Sequence, residues 1–184
     1  MRYAVLLRGV NVGGRTVRMA ELRTALAALP VRDVRTLLAS GNVVCRFDGS
    51  AVELRALVEA TLRATFGYEA WVVVLDAARL DALLRACPYP ADDPTTHTYV
   101  TVTSDPAVLD ALDAAVREAD PASPQVRLGP EATAWTVAAG ATLAAARSRL
   151  AGRVRYAPSI TDRNLRTMRA VQAALAEMGG DAAG

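Results

Sequence analysis

Through residue 76 the chain alternates apolar runs of strand length with stripes of helical period, in an order that few folds accommodate. "YAVLLRGV" is a continuous apolar run suited to a buried strand, and Met19, Leu22, Leu26 and Leu29 share one helical face that Pro30 ends. "VRTLLASGNVVCRF" reads as two strands reversing at Ser40-Gly41-Asn42, residues that tolerate the positive φ angles of a tight turn. Ser50 and Glu53 form a capping box ahead of "LRALVEATLRATF", Gly67 supplies a C-terminal stop, and "AWVVVL" is a last strand. The order is β-α-β-β-α-β, the split βαβ or ferredoxin-like arrangement, in which both helices cover one face of an antiparallel four-stranded sheet.

The second half repeats that order in its elements though not visibly in its residues. A helix around Leu80 to Arg85 and the Pro-rich break "CPYPADDPTT" precede a strand, "HTYVTVTS". Asp105-Pro106 opens a helix striped by Leu109, Leu112 and Val116, and "QVRLGPEATAWTVAAG" is a hairpin. A weaker helix through Leu143, Ala146 and Leu150, a short strand at "RVRYA" and a last helix over about 162–178 complete the set. The expected fold is therefore α+β: two ferredoxin-like halves with antiparallel sheets, plus a C-terminal helix. Residues 1–76 form the first domain; residues 77–184 hold a linker helix, the second domain and the C-terminal helix.

At 184 residues, 52% hydrophobic and with a mean hydropathy of +0.19, the chain can fill a core. The apolar run in "MRYAVLLRGV" is too short for a signal peptide, and no stretch approaches a membrane span, so a cytoplasmic protein without a membrane partner is expected. Cys45 and Cys87 have no metal-ligand spacing and read as free thiols. All 21 basic residues are arginine, a uniformity that points to coding bias more than to guanidinium chemistry, so position counts for more than number. Residues 1–50 carry eight Arg against three acids, a charge of +5; 51–120 carry −7 and 121–184 carry +4. A near-neutral chain with basic ends is a weak nucleic-acid binder unless its two ends converge.

Between the first strand and the first helix lies "RGVNVGGRT", residues 8–16. Gly9, Gly14, Arg15 and Thr16 spell a sequence one substitution from the P-loop motif, but Lys is replaced by Arg, the helix begins later, near Met19, and the surrounding pattern is antiparallel. "GVNVGG" does not match the dinucleotide fingerprint either. What remains is a connection or an anion-binding loop outside both motifs, since glycines let backbone N–H groups approach a ligand. Near the C-terminus, Thr161 with Ser159 can cap a helix that carries Met168, Val171, Leu175 and Met178 on one face. Asn164 projects with that apolar face and is expected to clamp a facing loop through its amide, while Arg163 joins Arg8 or Arg15 as a possible anion ligand. His97 is alone and no G-x-S-x-G accompanies it, so it makes no triad. Asp92-Asp93 lack the further oxygens of a calcium site, and no cofactor or metal is expected. Trp71 and Trp135 lie in strands as core or sheet-face residues.

"LLRGVNVGG", "MAELRTALAAL", "VRTLLASGNVV" and "TDRNLRTM" together resemble the successive signatures of the bacterial domain of unknown function 1697 family. Leu165 stands where that family's last motif usually has Trp, and "AAARSRL" matches its Gly-x-Gly-Arg-Ser-Lys-like stretch at Arg147, Ser148 and Arg149. The resemblance implies paired ferredoxin-like halves and no particular reaction. Three functional classes follow, in order of preference: binding of a small anionic or phosphate-bearing ligand, with or without catalysis; nucleic-acid binding through the basic ends; and a protein-interaction module. For the first, the candidate residues are Arg8, Gly9, Asn11, Gly13, Gly14, Arg15, Ser40, Asn42, Thr161, Arg163 and Asn164, in a cleft between the Gly-rich loop and the C-terminal motif. No catalytic residue is assigned.

Overall fold

The computed structural model describes residues 1–8, 17–38, 41–67 and 70–180. Two compact units emerge: Met1–Asp81 with Ala170–Gly184, and Ala82–Arg169. Both boundaries fall inside helices, α3 (Ala77–Ala86) and α6 (Leu165–Gly180).

In the first unit, β1 (Arg2–Arg8), α1 (Met19–Ala27), β2 (Val31–Leu37), β3 (Asn42–Phe47), α2 (Ala51–Phe66) and β4 (Trp71–Asp76) follow the expected order. The sheet order is β2-β3-β1-β4, with every pairing antiparallel. Gly41 precedes β3 at φ 71°, the left-handed backbone that the hairpin reading required. α2 starts at the Ser50/Glu53 capping box and stops at Gly67, again left-handed. Tyr3, Val5 and Leu7 alternate inward from β1 and meet Val43, Cys45 and Phe47 of β3 under Leu54, Val58 and Leu62 of α2. The core on this face is apolar. On the other face, Arg2 and Arg46, paired in register, donate to the carbonyls of Leu175 and Met178 in the last turns of α6. The Met178 carbonyl is among the last four of α6, which have no partner within the helix, so Arg46 satisfies it, and both guanidiniums complement the negative end of the helix dipole.

The second unit builds the same topology from β5 (Thr96–Thr103), α4 (Pro106–Ala119), β6 (Gln125–Gly129), β7 (Ala132–Ala138), α5 (Ala146–Ala151) and β8 (Ile160–Asn164), in sheet order β6-β7-β5-β8. Asp105 caps α4 through the N–H of Ala107 at 3.0 Å, ahead of Pro106. Leu109, Leu112 and Val116 pack with Leu150, Tyr156 and Ile160.

Two expectations for this half are corrected. The helix through Leu143 and Leu150 is broken into a 3-10 turn, Thr142–Ala144, and the short α5. "RVRYA" is not the closing strand, because its backbone turns on itself: the N–H groups of Arg153, Tyr156 and Ser159 reach carbonyls three residues back, at Leu150, Arg153 and Tyr156. The closing strand is "ITDRN", where β-branched Ile160 and Thr161 pair with Thr103 and Val102 of β5. α6 therefore begins at Leu165, and Thr161, Arg163 and Asn164 lie on a strand rather than at and inside a helix N-terminus. Among the described residues no helix is long and apolar enough to cross a membrane.

Candidate functional site

The candidate residues fall into three groups. Gly9, Asn11, Gly13, Gly14, Arg15 and Ser40 lie outside the described residues. In the first unit, Arg8 ends β1 half-buried opposite Trp71, and Asn42 is fully buried at the start of β3, its Nδ2 donating to the Leu37 carbonyl at 3.2 Å. In the second unit, Thr161 and Arg163 are buried on β8, and Arg163 Nη1 donates to Thr161 Oγ1 at 2.6 Å and to the Asp162 carbonyl at 2.8 Å. Asn164 Oδ1 accepts from the N–H of Arg166 at 2.9 Å, so its amide caps α6 locally.

Helix starts divide along a similar line. α2, α3, α4 and α6 each have a side-chain acceptor at their first turn, from Ser50, Asp76, Asp105 and Asn164. α1 follows the Gly-rich segment. Its N-cap residue, Arg18, holds extended backbone at φ −70° and ψ 133° and makes no capping hydrogen bond with its side chain. The guanidinium of Arg18 lies 3.8 Å from Glu21 on the surface, a separation at which an ion pair contributes little.

A polar cluster that the sequence reading did not single out occupies the second unit, on the face of the sheet that α4 covers. The strand registers align two rows of side chains across all four strands: Gln125, Trp135, Tyr99 and Asn164, then Arg127, Thr133, Thr101 and Asp162. Asp113 of α4 and Arg147 of α5 close over them, 5% and 1% exposed. Asp113 accepts from Arg147 Nη2 through one oxygen; through the other it accepts from Arg127 Nη1 at 2.8 Å and Thr133 Oγ1 at 2.7 Å. Arg147 also donates from Nη2 to Gln125 Oε1 and from Nη1 to Thr101 Oγ1 at 3.4 Å. Thr101 Oγ1 accepts from Trp135 Nε1 at 3.1 Å and donates to Asp162 Oδ1 at 2.5 Å. Tyr99 stacks on Trp135 with ring centres 4.9 Å apart and hydrogen-bonds Thr142 at 3.2 Å.

Two residues out of pattern mark this cluster in the sequence. Asp113 sits in the apolar stripe of Leu109, Leu112 and Val116, and Arg147 sits between Ala146 and Leu150; an ionisable residue on a helix's buried face needs a partner. Among the described residues no group of three or more His, Cys, Asp and Glu could hold a metal ion. Burial pushes the Cys45 thiol up to about 11, so it is a protonated core residue at neutral pH.

The chain is similar in structure to a conserved bacterial protein, SP0830 from Streptococcus pneumoniae. The two are 24% identical, the match covers 95% of this chain and 98% of that chain, and the TM-score is 0.75. At that identity the likeness shows a shared fold. A comparison with curated proteins finds no match. The family model for "Protein of unknown function (DUF1697)" matches residues 1–132, a span that holds "LLRGVNVGG", "MAELRTALAAL" and "VRTLLASGNVV" and ends before "TDRNLRTM". With more than two thirds of its length matched, the chain belongs to this family of unknown function.

Proposed function

We propose that the protein binds a small anionic or phosphate-bearing ligand at the Gly-rich segment and the start of α1. The observation that carries this reading is the start of α1: its N-cap residue gives it no side-chain cap, a lack it shares among the described α-helices only with the six-residue α5, and it is the one preceded by "GVNVGGRT". The first N–H groups of a helix need acceptors, and the positive end of the helix dipole favours an anion there. Arg15 and Arg18 add charge close to that point in the sequence, and Arg8 ends the strand that leads into the segment. On this reading, Gly9, Gly13 and Gly14 let the backbone approach the ligand, and Asn11 offers an amide to it.

Thermal unfolding with sulfate or inorganic phosphate, compared with sodium chloride at equal ionic strength, tests the reading. Bound anion should raise the melting temperature, because a ligand that binds only the folded state stabilises it by mass action. Arg18→Ser installs a capping hydroxyl where the anion would sit and removes a charge. It should keep or raise the stability of the free protein while losing most of the anion effect, and Arg15→Ser should lose part of it. Equal anion responses in parent and both variants would refute the site. An oligothymidylate tested at two salt concentrations separates the nucleic-acid alternative, since phosphate contacts weaken steeply with salt.

A further inference from the structure

The polar rows of the second sheet are not a requirement of the fold. The first unit has the same topology, and its equivalent face carries Val5, Val43 and Cys45 under apolar helix residues. The second unit instead places a guanidinium and a carboxylate in that position, although buried ion pairs add little net stability compared with a well-packed apolar core. Two buried donors in the cluster have no hydrogen-bond partner among the described residues, Arg147 Nε and Gln125 Nε2. They belong to neighbouring groups, since Arg147 Nη2 donates to the oxygen of the same Gln125 amide. Arg147 and Arg127 share one buried carboxylate, Asp113, and Arg127 also pairs with the exposed Asp110 at 2.8 Å. Asp162 on β8 joins the same cluster through the Thr101 hydroxyl, which also accepts from Arg147.

We infer that this end of the second unit is a ligand site for a small carboxylate, separate from the proposed anion site at α1. A carboxylate supplies two acceptor oxygens for the two open donors, one of which belongs to a guanidinium. Phosphate would bring a larger charge and more acceptor oxygens than those donors match. Gln125, Tyr99 and Thr142 are each half-buried, so they form a partly open rim, and Tyr99 stacked on Trp135 gives the site an aromatic wall. Trp135 is thereby a built-in reporter.

The test uses the full chain carrying Trp71→Phe, which leaves Trp135 as the single tryptophan. Acetate and formate, titrated at constant ionic strength, should change its fluorescence saturably, and inorganic phosphate should give no saturable change over the same range. Gln125→Glu keeps the acceptor for Arg147 but replaces the open donor with a negative oxygen, and should weaken acetate binding about tenfold or more. Gln125→Met, which removes the amide altogether, should weaken it too, and Arg18→Ser should leave it unchanged. No saturable response to either carboxylate, an undiminished response in both Gln125 variants, or a stronger response to phosphate would each overturn the assignment. Loss of acetate binding in Arg18→Ser would merge the two sites and overturn it as well.

Discussion

Asp113→Asn should be the most damaging single-atom change in the second unit. The substitution keeps the shape of the side chain and removes its charge. Arg147 is 1% exposed, and its Nη2 would then face a neutral amide in place of the carboxylate it bonds now. Breaking a buried pair by removing one partner costs about 3–5 kcal/mol, a large share of the roughly 5–15 kcal/mol that holds a domain folded. The Thr133 hydroxyl and Arg127 Nη1, both donors to the second Asp113 oxygen, would also compete with the new amide's own N–H groups. Arg127→Met supplies the contrast. That side chain is 30% exposed, so water replaces part of what is lost and the change should cost only about 1 kcal/mol. Replacing both buried partners, as Asp113→Leu with Arg147→Met, should recover most of the loss, because no unpaired charge remains. Urea unfolding of the Trp71→Phe protein, read by Trp135 inside the cluster, reports on this unit even if the two units unfold separately. A loss below about 1 kcal/mol for Asp113→Asn, or a double variant as unstable as the sum of its singles, would refute the claim that the pair is buried and coupled.

Further perturbations examine local features of the first unit. Gly41→Val forces a β-branched residue into φ 71° and should lower stability by about 1–3 kcal/mol, visible as a reduced urea midpoint; an unchanged midpoint would contradict the turn. Ser50→Ala removes the acceptor for the Glu53 N–H and should cost about 1 kcal/mol. The Ser50 backbone N–H, and then its hydroxyl, hold Glu53 below its usual carboxylate range, so this contribution is present above the unfolded pKa and fades as pH falls through the folded one. Glu53→Gln should flatten that acid limb of the stability profile, and an unaltered limb would remove the capping box from it. Cys45, with its thiol raised to about 11, should resist a thiol reagent at neutral pH until the protein unfolds; rapid labelling of the native fold at this position would disprove its burial.

The fold was legible where local chemistry and tertiary structure agree. Ser50 with Glu53, Gly67 and Asp105-Pro106 mark helix ends in a few residues each, and each mark matches a hydrogen bond or a left-handed residue. The C-terminal third was harder to read because its cues are tertiary. "RVRYA" has the alternation of a strand, yet Tyr156 turns into the cluster around Leu109 and Leu112 while the backbone curls beneath it. "TDRN" carries polar residues that suit a helix start, and it becomes a strand because β5 offers an edge whose Val102 to Tyr99 it matches residue by residue. Asn164 keeps part of its expected character: its amide oxygen accepts from the N–H of Arg166 in the helix it precedes, and most of the loop it was expected to clamp lies outside the described residues.

The polar cluster was less legible than the strands that carry it, and the reason is geometric. An alternating strand such as "HTYVTVTS" announces two faces without saying which one is buried, because threonine and tyrosine tolerate either environment. The answer comes from the far side of the sheet. Asp113 and Arg147 are 34 residues apart, and nothing in either local stretch says that a carboxylate on α4 will meet a guanidinium on α5 over Thr101. Each was nonetheless out of pattern on its own helix, an ionisable group on an apolar stripe. Two such misfits of opposite charge in one small domain are a joint signal: each is costly to bury alone, and pairing is the arrangement that removes the penalty for both. Comparison of the two halves then separates what the fold needs from what this chain has added, since the first unit closes the same face with valine, cysteine and leucine.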